Sequence, residues 1–461
     1  MKQIKLIRSI FVLLAALLTS TLNAQEAKYI FYFIGDGMGL GPVMATEQYN
    51  RQVLKNTDPI LMLRFPIVSS AMTYSADAPV TDSAAAGTAL STGHKTRNGM
   101  LGMDADTVAV NSIAKYLKEK GYGIGITTTV PIDDATPGAF YAHQPNRGMY
   151  NEITGDMAAS DYNFFAGSIL RGDKEKTLKM LSDGGYSVFY GLDQLKASAP
   201  KDKTLLLGPE GITQYQCGYT IDSIAGALTL PQITQAAIDH LTRFTPKKFF
   251  LMVEGGNIDW CNHSNDGGTA IKEILNFNQA IALAYEFYRQ HPKETLIVVT
   301  ADHDTGGCSV GAGGKHADYS LIDYQRISKD NFSAKCKEMA KSNDNITWNE
   351  MKQILGNDLG LFGPIAVKEK EEKKLEEAFT EVFVKKDAEE NKTLYNSYDY
   401  FVEAVFKFLD RKAGFGWTTN SHTGCLVPVC AVGVGAEKFS NLNNNIDIPH
   451  KIASLVGITM K

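Results

Sequence analysis

The chain is short of long apolar runs, of paired thiolates and of charge excess, and each shortage closes off a class of function. Its N-terminal apolar run, Ile10 to Leu18, falls short of the roughly 18 residues that span a bilayer, so a membrane anchor is not expected there. The six cysteines include no Cys-x-x-Cys pair, which argues against a thiolate zinc site. With 46 basic and 51 acidic residues, a net charge of -5, the chain has no basic surplus to replace the counterions of a nucleic acid. Phosphate substrates stay open, because bound metal ions can supply positive charge. The glycines of Gly35-Asp36-Gly37-Met38-Gly39 do not complete Gly-x-Gly-x-x-Gly, since Leu40 and Pro42 occupy the required places, so a dinucleotide fold has little support. No Gly-x-Ser-x-Gly elbow surrounds Ser83, which disfavours a hydrolase triad.

What is present reads as a globular enzyme. The 461 residues are 44% hydrophobic and 21% charged, enough for a large buried core. Lys2, Lys5 and Arg8 precede the apolar run, and Thr19 to Ala24 follow it with small and polar residues. That layout is a secretory signal peptide over residues 1–24, cleaved after Ala24. No cysteine follows the run, so a lipid anchor has no attachment point. A periplasmic or secreted product is expected, and six cysteines suit an oxidising compartment, although sequence cannot choose their pairing.

Short β-branched runs mark buried strands at Tyr29 to Ile34, Tyr122 to Thr127, Phe249 to Val253, Thr295 to Thr300 and Val427 to Val434. Being apolar on both faces, they predict an α/β fold with a mostly parallel central sheet covered by helices. In such sheets ligands bind beyond the carboxyl ends of the strands. There the sequence supplies Asp36, then Glu254 to Asp259, then Asp302-His303. Asp259 and His263 are four residues apart, which puts both on one side of a helical turn where they can grip one metal. The small residues after Ser83 predict a helix whose first turn carries that serine. Free amides and the helix dipole there favour negative charge. A serine hydroxyl needs a base or a metal to become a nucleophile, and metal activation is the natural route here.

Taken in order, Ile34 to Gly39, Val80 to Ala86, Asp134 to Pro137, Val253 to Asp259 with His263, Thr300 to His303, and His422 to Gly424 resemble the motifs of alkaline phosphatases. The resemblance runs from about Lys28 to the C-terminus, so residues 25–461 form the catalytic domain, interrupted by a helical insertion at 311–417. It implies a three-layer α/β sandwich, a homodimer, and hydrolysis of small phosphate monoesters through a phosphoserine on Ser83. It further implies two zinc ions, one held by Asp259, His263 and His422 and the other by Asp36, Asp302 and His303. One magnesium would share Asp36 and take Thr136 and Glu254. Arg147 matches the arginine that grips phosphate oxygens, and Asp134 and Trp260 border the ions.

Two departures from the family pattern qualify the match. Many relatives carry Lys or His where Trp260 stands, and an indole offers one donor and no charge. Asp134 is therefore expected to lack its usual cationic partner. The insertion carries a mixed-sign charge run over Lys368 to Glu377, with Leu375, Phe379 and Val382 at helical spacing, then Val402, Val405, Phe406 and Leu409. The expectation is an amphipathic surface helix pair, with a lid or dimer cap as the alternative. Other functions on this core remain in view. Diesterases usually lose the magnesium residues, whereas Thr136 and Glu254 are both present. Sulfatases need a proline after the nucleophile that Ser83-Ala84-Ala85 lacks, and mutases act on cytosolic sugar phosphates. A non-catalytic phosphate or metal binder would be expected to lack one of these residues, yet every position is filled.

Overall fold

The computed structural model describes residues 26–212, 215–312, 317–342, 346–386 and 390–461. The proposed signal peptide over residues 1–24 lies outside them.

The strands, in chain order, begin with β1 (Tyr29–Gly35), β2 (Ile67–Met72), β3 (Gly123–Thr128) and β4 (Phe164–Gly167). They continue with β5 (Ser187–Tyr190), β6 (Thr204–Leu207), β7 (Phe249–Gly255) and β8 (Thr295–Ala301). Six short ones follow: β9 (Asp304–Thr305), β10 (Ser309–Val310), β11 (Glu390–Lys392), β12 (Ser397–Asp399), β13 (Phe415–Gly416) and β14 (His422–Thr423). β15 (Val427–Gly433) and β16 (Leu442–Asn444) complete the set.

A ten-stranded sheet has the order β16-β2-β15-β8-β1-β7-β3-β4-β6-β5. All its pairings are parallel except those of β15, which runs against both β8 and β2. This is the α/β architecture expected, with one antiparallel strand in an otherwise parallel sheet. The central strands β1, β3, β7 and β8 are buried along their whole length, which is why they lack polar alternation. Register then decides what meets at their ends. Gly35 pairs with Gly255 on one side and Ala301 on the other, and Thr128 pairs with Glu254. Asp36, Glu254 and Asp302 therefore leave the sheet at one level.

The insertion is more than the expected surface pair. Its α-helices cover Lys329–Ser342, Trp348–Leu359, Glu369–Phe379 and Tyr400–Ala413. Phe332, Met351, Leu355, Leu375, Phe379, Phe401, Val405 and Phe406 form a core of their own, separate from that of the sheet. The charged run over Lys368 to Glu377 is the wet face of one of these helices, while Leu375, Ala378 and Phe379 turn inward. No helix among the described residues is long and apolar enough to cross a membrane. All six cysteines are free thiols.

Candidate active site

Ser83 is the first residue of the helix Ser83–Thr92, as its small-residue sequence predicts. The capping role falls to Asp82, whose side chain accepts from the Ala85 N–H at 2.9 Å. Ser83 is thereby free to turn its Oγ toward His303 Nε2, 3.1 Å away.

Three imidazoles converge beside it. His263 Nδ1 bonds the carbonyl of Asn420 at 2.7 Å, and His422 Nδ1 bonds that of Thr81 at 2.9 Å. A carbonyl only accepts, so in both rings Nδ1 carries the proton. Thr305 Oγ1 donates to Asp259 and receives His303 Nδ1–H at 3.2 Å, which assigns the same tautomer to His303. All three rings therefore turn Nε2 into the site. His263 Nε2 and His422 Nε2 stand 3.0 Å apart, close enough to share one cation, and the rings of His303 and His422 stack at 3.7 Å. Unprotonated nitrogens at such a separation repel unless a cation lies within reach of both.

The carboxylates report the same deficit. Asp36 Oδ1, Asp259 Oδ2, Asp302 Oδ2, both oxygens of Glu254, and Thr136 Oγ1 are buried without a hydrogen-bond partner. Buried polar atoms are almost always paired, so six orphans in one place need an explanation. Asp36, Asp302 and His303 offer ligand atoms within 4.8 Å of one another, and so do Asp259, His303 and His422. His263 joins the second group through Asp259 Oδ2 at 3.3 Å. His303 thus stands between the two groups rather than in one alone. Burial, then repulsion from Asp302, Asp259 and Glu254, raises the Asp36 carboxyl well above its ordinary range. Burial pushes Glu254 up to about 8 and Asp302 to about 7. Asp259 is held down instead: burial opposes its charge, but His263, His422 and His303 outweigh that. Carboxylates this crowded stay ionised together only if cations neutralise them. The donor set fits divalent metal ions, with imidazole and carboxylate suited to zinc and the oxygens of Asp36, Thr136 and Glu254 suited to magnesium.

Local backbone makes the convergence possible. Gly37, at φ +65°, donates its N–H to Asp302 Oδ1, and a Cβ there would come within 2.7 Å of Asp259 Oδ1. β9 and β14 pair antiparallel, with His422 opposite Thr305, and this two-residue ribbon brings a histidine from far downstream into the site.

Arg147 lies at the site as expected, its guanidinium 3.3 Å from Asp82 and 3.2 Å from Asp134. Burial opposes its charge, but Asp134 chiefly raises it well above the ordinary value. Asp134 gets no cation from position 260, yet it is not left without one. Arg147 and Arg171, the latter at 3.5 Å, both pair with it. The neighbouring Asp133 accepts the backbone N–H groups of Arg171 and Gly172, fixing the loop that delivers the second arginine. Sequence reading missed Arg171, because nothing near it in the chain marks its destination; Asp82 had a signal, an acid directly before a helix start. Trp260 is 6% exposed and packs with Val130, Tyr219 and Ala270. Tyr395, also missed, stacks on it from the insertion.

A cage of carboxylates and imidazoles around a helix-borne serine, at the carboxyl end of a parallel sheet, defines an α/β enzyme built to work with metal ions. The family described as alkaline phosphatase matches over residues 27–217 and 216–458. Alkaline phosphatase 4 of Bacillus subtilis is 31% identical over 440 residues, covering 92% of this chain and 88% of its own length. Alkaline phosphatase 3 of the same organism is 30% identical over 454 residues, covering 95% and 91%. Among solved structures, a cold-active alkaline phosphatase from Shewanella sp. superposes with a TM-score of 0.79 at 31% identity, over 93% of this chain and 99% of that one. The alkaline phosphatase of the Antarctic bacterium TAB5 gives a TM-score of 0.66 at 26% identity, over 95% and 100%. The chain belongs to the alkaline phosphatase family, and with it to the phosphoric monoester hydrolases.

Proposed function

We propose that this chain is an exported alkaline phosphatase that hydrolyses phosphate monoesters through a phosphoserine on Ser83, with two zinc ions and one magnesium. The observation that carries the proposal is the serine Oγ at a helix N-terminus, 3.1 Å from His303 Nε2 and beside buried carboxylate oxygens that lack partners. Asp259, His263 and His422 would hold one zinc, Asp36, Asp302 and His303 the other, and Asp36, Thr136 and Glu254 the magnesium. A TAB5 variant has magnesium bound in its M3 site, which supports a third position here. When bound, the ions supply the positive charge that favours the ionised forms of the Ser83 hydroxyl and the attacking water and draws in a phosphate dianion.

The protein's own residues then account for positioning. Ser83 Oγ attacks phosphorus in line, so the leaving oxygen departs on the opposite side, toward His263 and His422. Water later attacks the phosphoserine from that vacated side. Arg147, braced by Asp82 and Asp134, would hold two non-bridging oxygens at once. The dipole of the Ser83–Thr92 helix favours the same negative charge. The carbonyls of Asn420 and Thr81 keep two of the imidazoles in the tautomer that leaves Nε2 open. Export directed by residues 1–24 and assembly as a homodimer belong to the same proposal.

Phosphate release from a monoester and from a diester by the purified chain, repeated with Ser83→Ala, tests the reading. The monoester is expected to be the better substrate, and the variant to lose several orders of magnitude. A faster diester reaction would make the chain a phosphodiesterase, inactivity on both a binding protein. Full activity without the serine would remove the phosphoserine.

A further inference from the structure

The insertion sends one side chain to the active site. β11 and β12 form a hairpin whose turn is closed by Thr393 N–H to the Asn396 carbonyl at 2.7 Å and Asn396 N–H to Thr393 Oγ1 at 3.0 Å. Tyr395 sits in that turn. Its ring stacks on Trp260 with centroids 4.4 Å apart and planes 17° from parallel. It also meets His263 edge to face at 5.2 Å. Those two contacts, one with the residue after Asp259 and one with His263, put the ring at the edge of the site.

This placement is braced. Next to the hairpin tip, the Tyr398 hydroxyl meets Ser264 Oγ at 2.6 Å and also bonds Asp330. Lys337 Nζ donates to the Ser397 carbonyl at 2.8 Å, and Asp399 caps the helix that follows. Lys329 Nζ donates to the Ser264 carbonyl at 2.8 Å. Ser264 directly follows His263, so the insertion is anchored to the same helix end that carries a candidate ligand. Leu394, beside Tyr395 in the turn, is 60% exposed.

We propose that the Trp260 and Tyr395 pair is a specificity-determining wall on the leaving-group side of the site. It favours phosphate monoesters whose alcohol presents a planar aromatic face over those of small polyols. This rests on Ser83 as the nucleophile, because in-line attack sends the leaving oxygen toward His263, the imidazole that Tyr395 touches. An aromatic leaving group can pack against the phenol ring there, whereas a polyol gains little from it. Trp260, where relatives carry a cation, then has a role that a charged side chain could not fill: it is the flat surface that sets the plane of Tyr395.

The experiment measures kcat/KM for para-nitrophenyl phosphate and for glycerol phosphate with the metal-loaded full chain, its Tyr395→Leu variant and its Tyr395→Phe variant. The leucine variant is expected to lower the aryl-to-glycerol ratio on the order of 3- to 10-fold, mainly through KM of the aryl ester. The phenylalanine variant keeps the ring and should retain the wild-type ratio. Equal losses on both esters in the leucine variant would reduce Tyr395 to a structural brace and overturn the wall. A phenylalanine variant as impaired as the leucine one would assign the effect to the hydroxyl, with the same consequence. Hydrolysis of neither ester by the unaltered chain would instead sink the phosphatase reading on which the wall depends.

Discussion

The sheet and the insertion solve opposite problems. At the ends of β1, β7 and β8 the chain concentrates buried polar atoms that no protein group satisfies, and parallel register holds them level. In the insertion the described helices bury an ordinary apolar core. Its reach into the site is through Tyr395. One region crowds like charges that divalent ions would neutralise; the other packs an apolar core of its own and lends a surface. Perturbing the first should remove turnover, while perturbing the second should change selectivity or stability and leave the chemistry alone.

The largest effect should come from chelation, with dialysis to remove the ions, which is expected to abolish turnover. It should also expose the crowding as a pH dependence. Because burial raises Asp36, Glu254 and Asp302, the ion-free folded chain holds protons that the unfolded chain has already released by about pH 5. Such groups stabilise the fold fully below their unfolded pKa, and that contribution is lost as pH rises through the folded values, near 7 for Asp302 and 8 for Glu254. His303 and His422, whose pKa values are lowered, act in the opposite sense through the ordinary histidine range, while His263, raised by Asp259 against its burial, adds to the fall, so the net loss is read from about pH 7 to 9. The melting temperature of the stripped chain should fall across that window, and restoring zinc and magnesium should remove the slope. A flat profile would mean that the crowding does not shift the carboxylates.

Next in size is Arg147→Ala, expected to lower kcat/KM on the order of 100-fold through lost stabilisation of the transferring phosphoryl group. Arg171→Ala should cost less, roughly tenfold, because that guanidinium acts through Asp134. Equal losses would put both arginines on the substrate. Trp260→Lys stands where the two regions meet. It should bind product phosphate more tightly, lowering the inhibition constant about fivefold, and change the magnesium dependence. Identical phosphate inhibition in the two proteins would remove the idea that Trp260 weakens product binding. Smallest for turnover, though not for stability, is Phe406→Ala in the insertion core. It should cost about 3 to 5 kcal/mol of stability in denaturant melts while kcat stays unchanged below the transition. A large drop in kcat would make the insertion part of the catalytic machinery.

The strand runs, the serine-bearing helix and the acids that follow the strands were legible because each is a local pattern. Burial on both faces forces continuous β-branched runs, a helix start favours small and capping residues, and a ligand at a strand end sits next to its strand in sequence. Asp36, Glu254 and Asp302 could be grouped for that reason, and the Asp259 and His263 pair because one helical turn joins them. Tertiary structure alone decided that His303 stands between two ligand groups, that Asp134 gathers Arg147 and Arg171, and that the insertion builds its own core. It alone brought Tyr395 onto Trp260. Those outcomes depend on packing and charge pairing between segments far apart in the chain, and contacts of that kind leave no periodicity or spacing to read. Local preference sets which elements form, but only closure of the whole fold sets which side chains share a site.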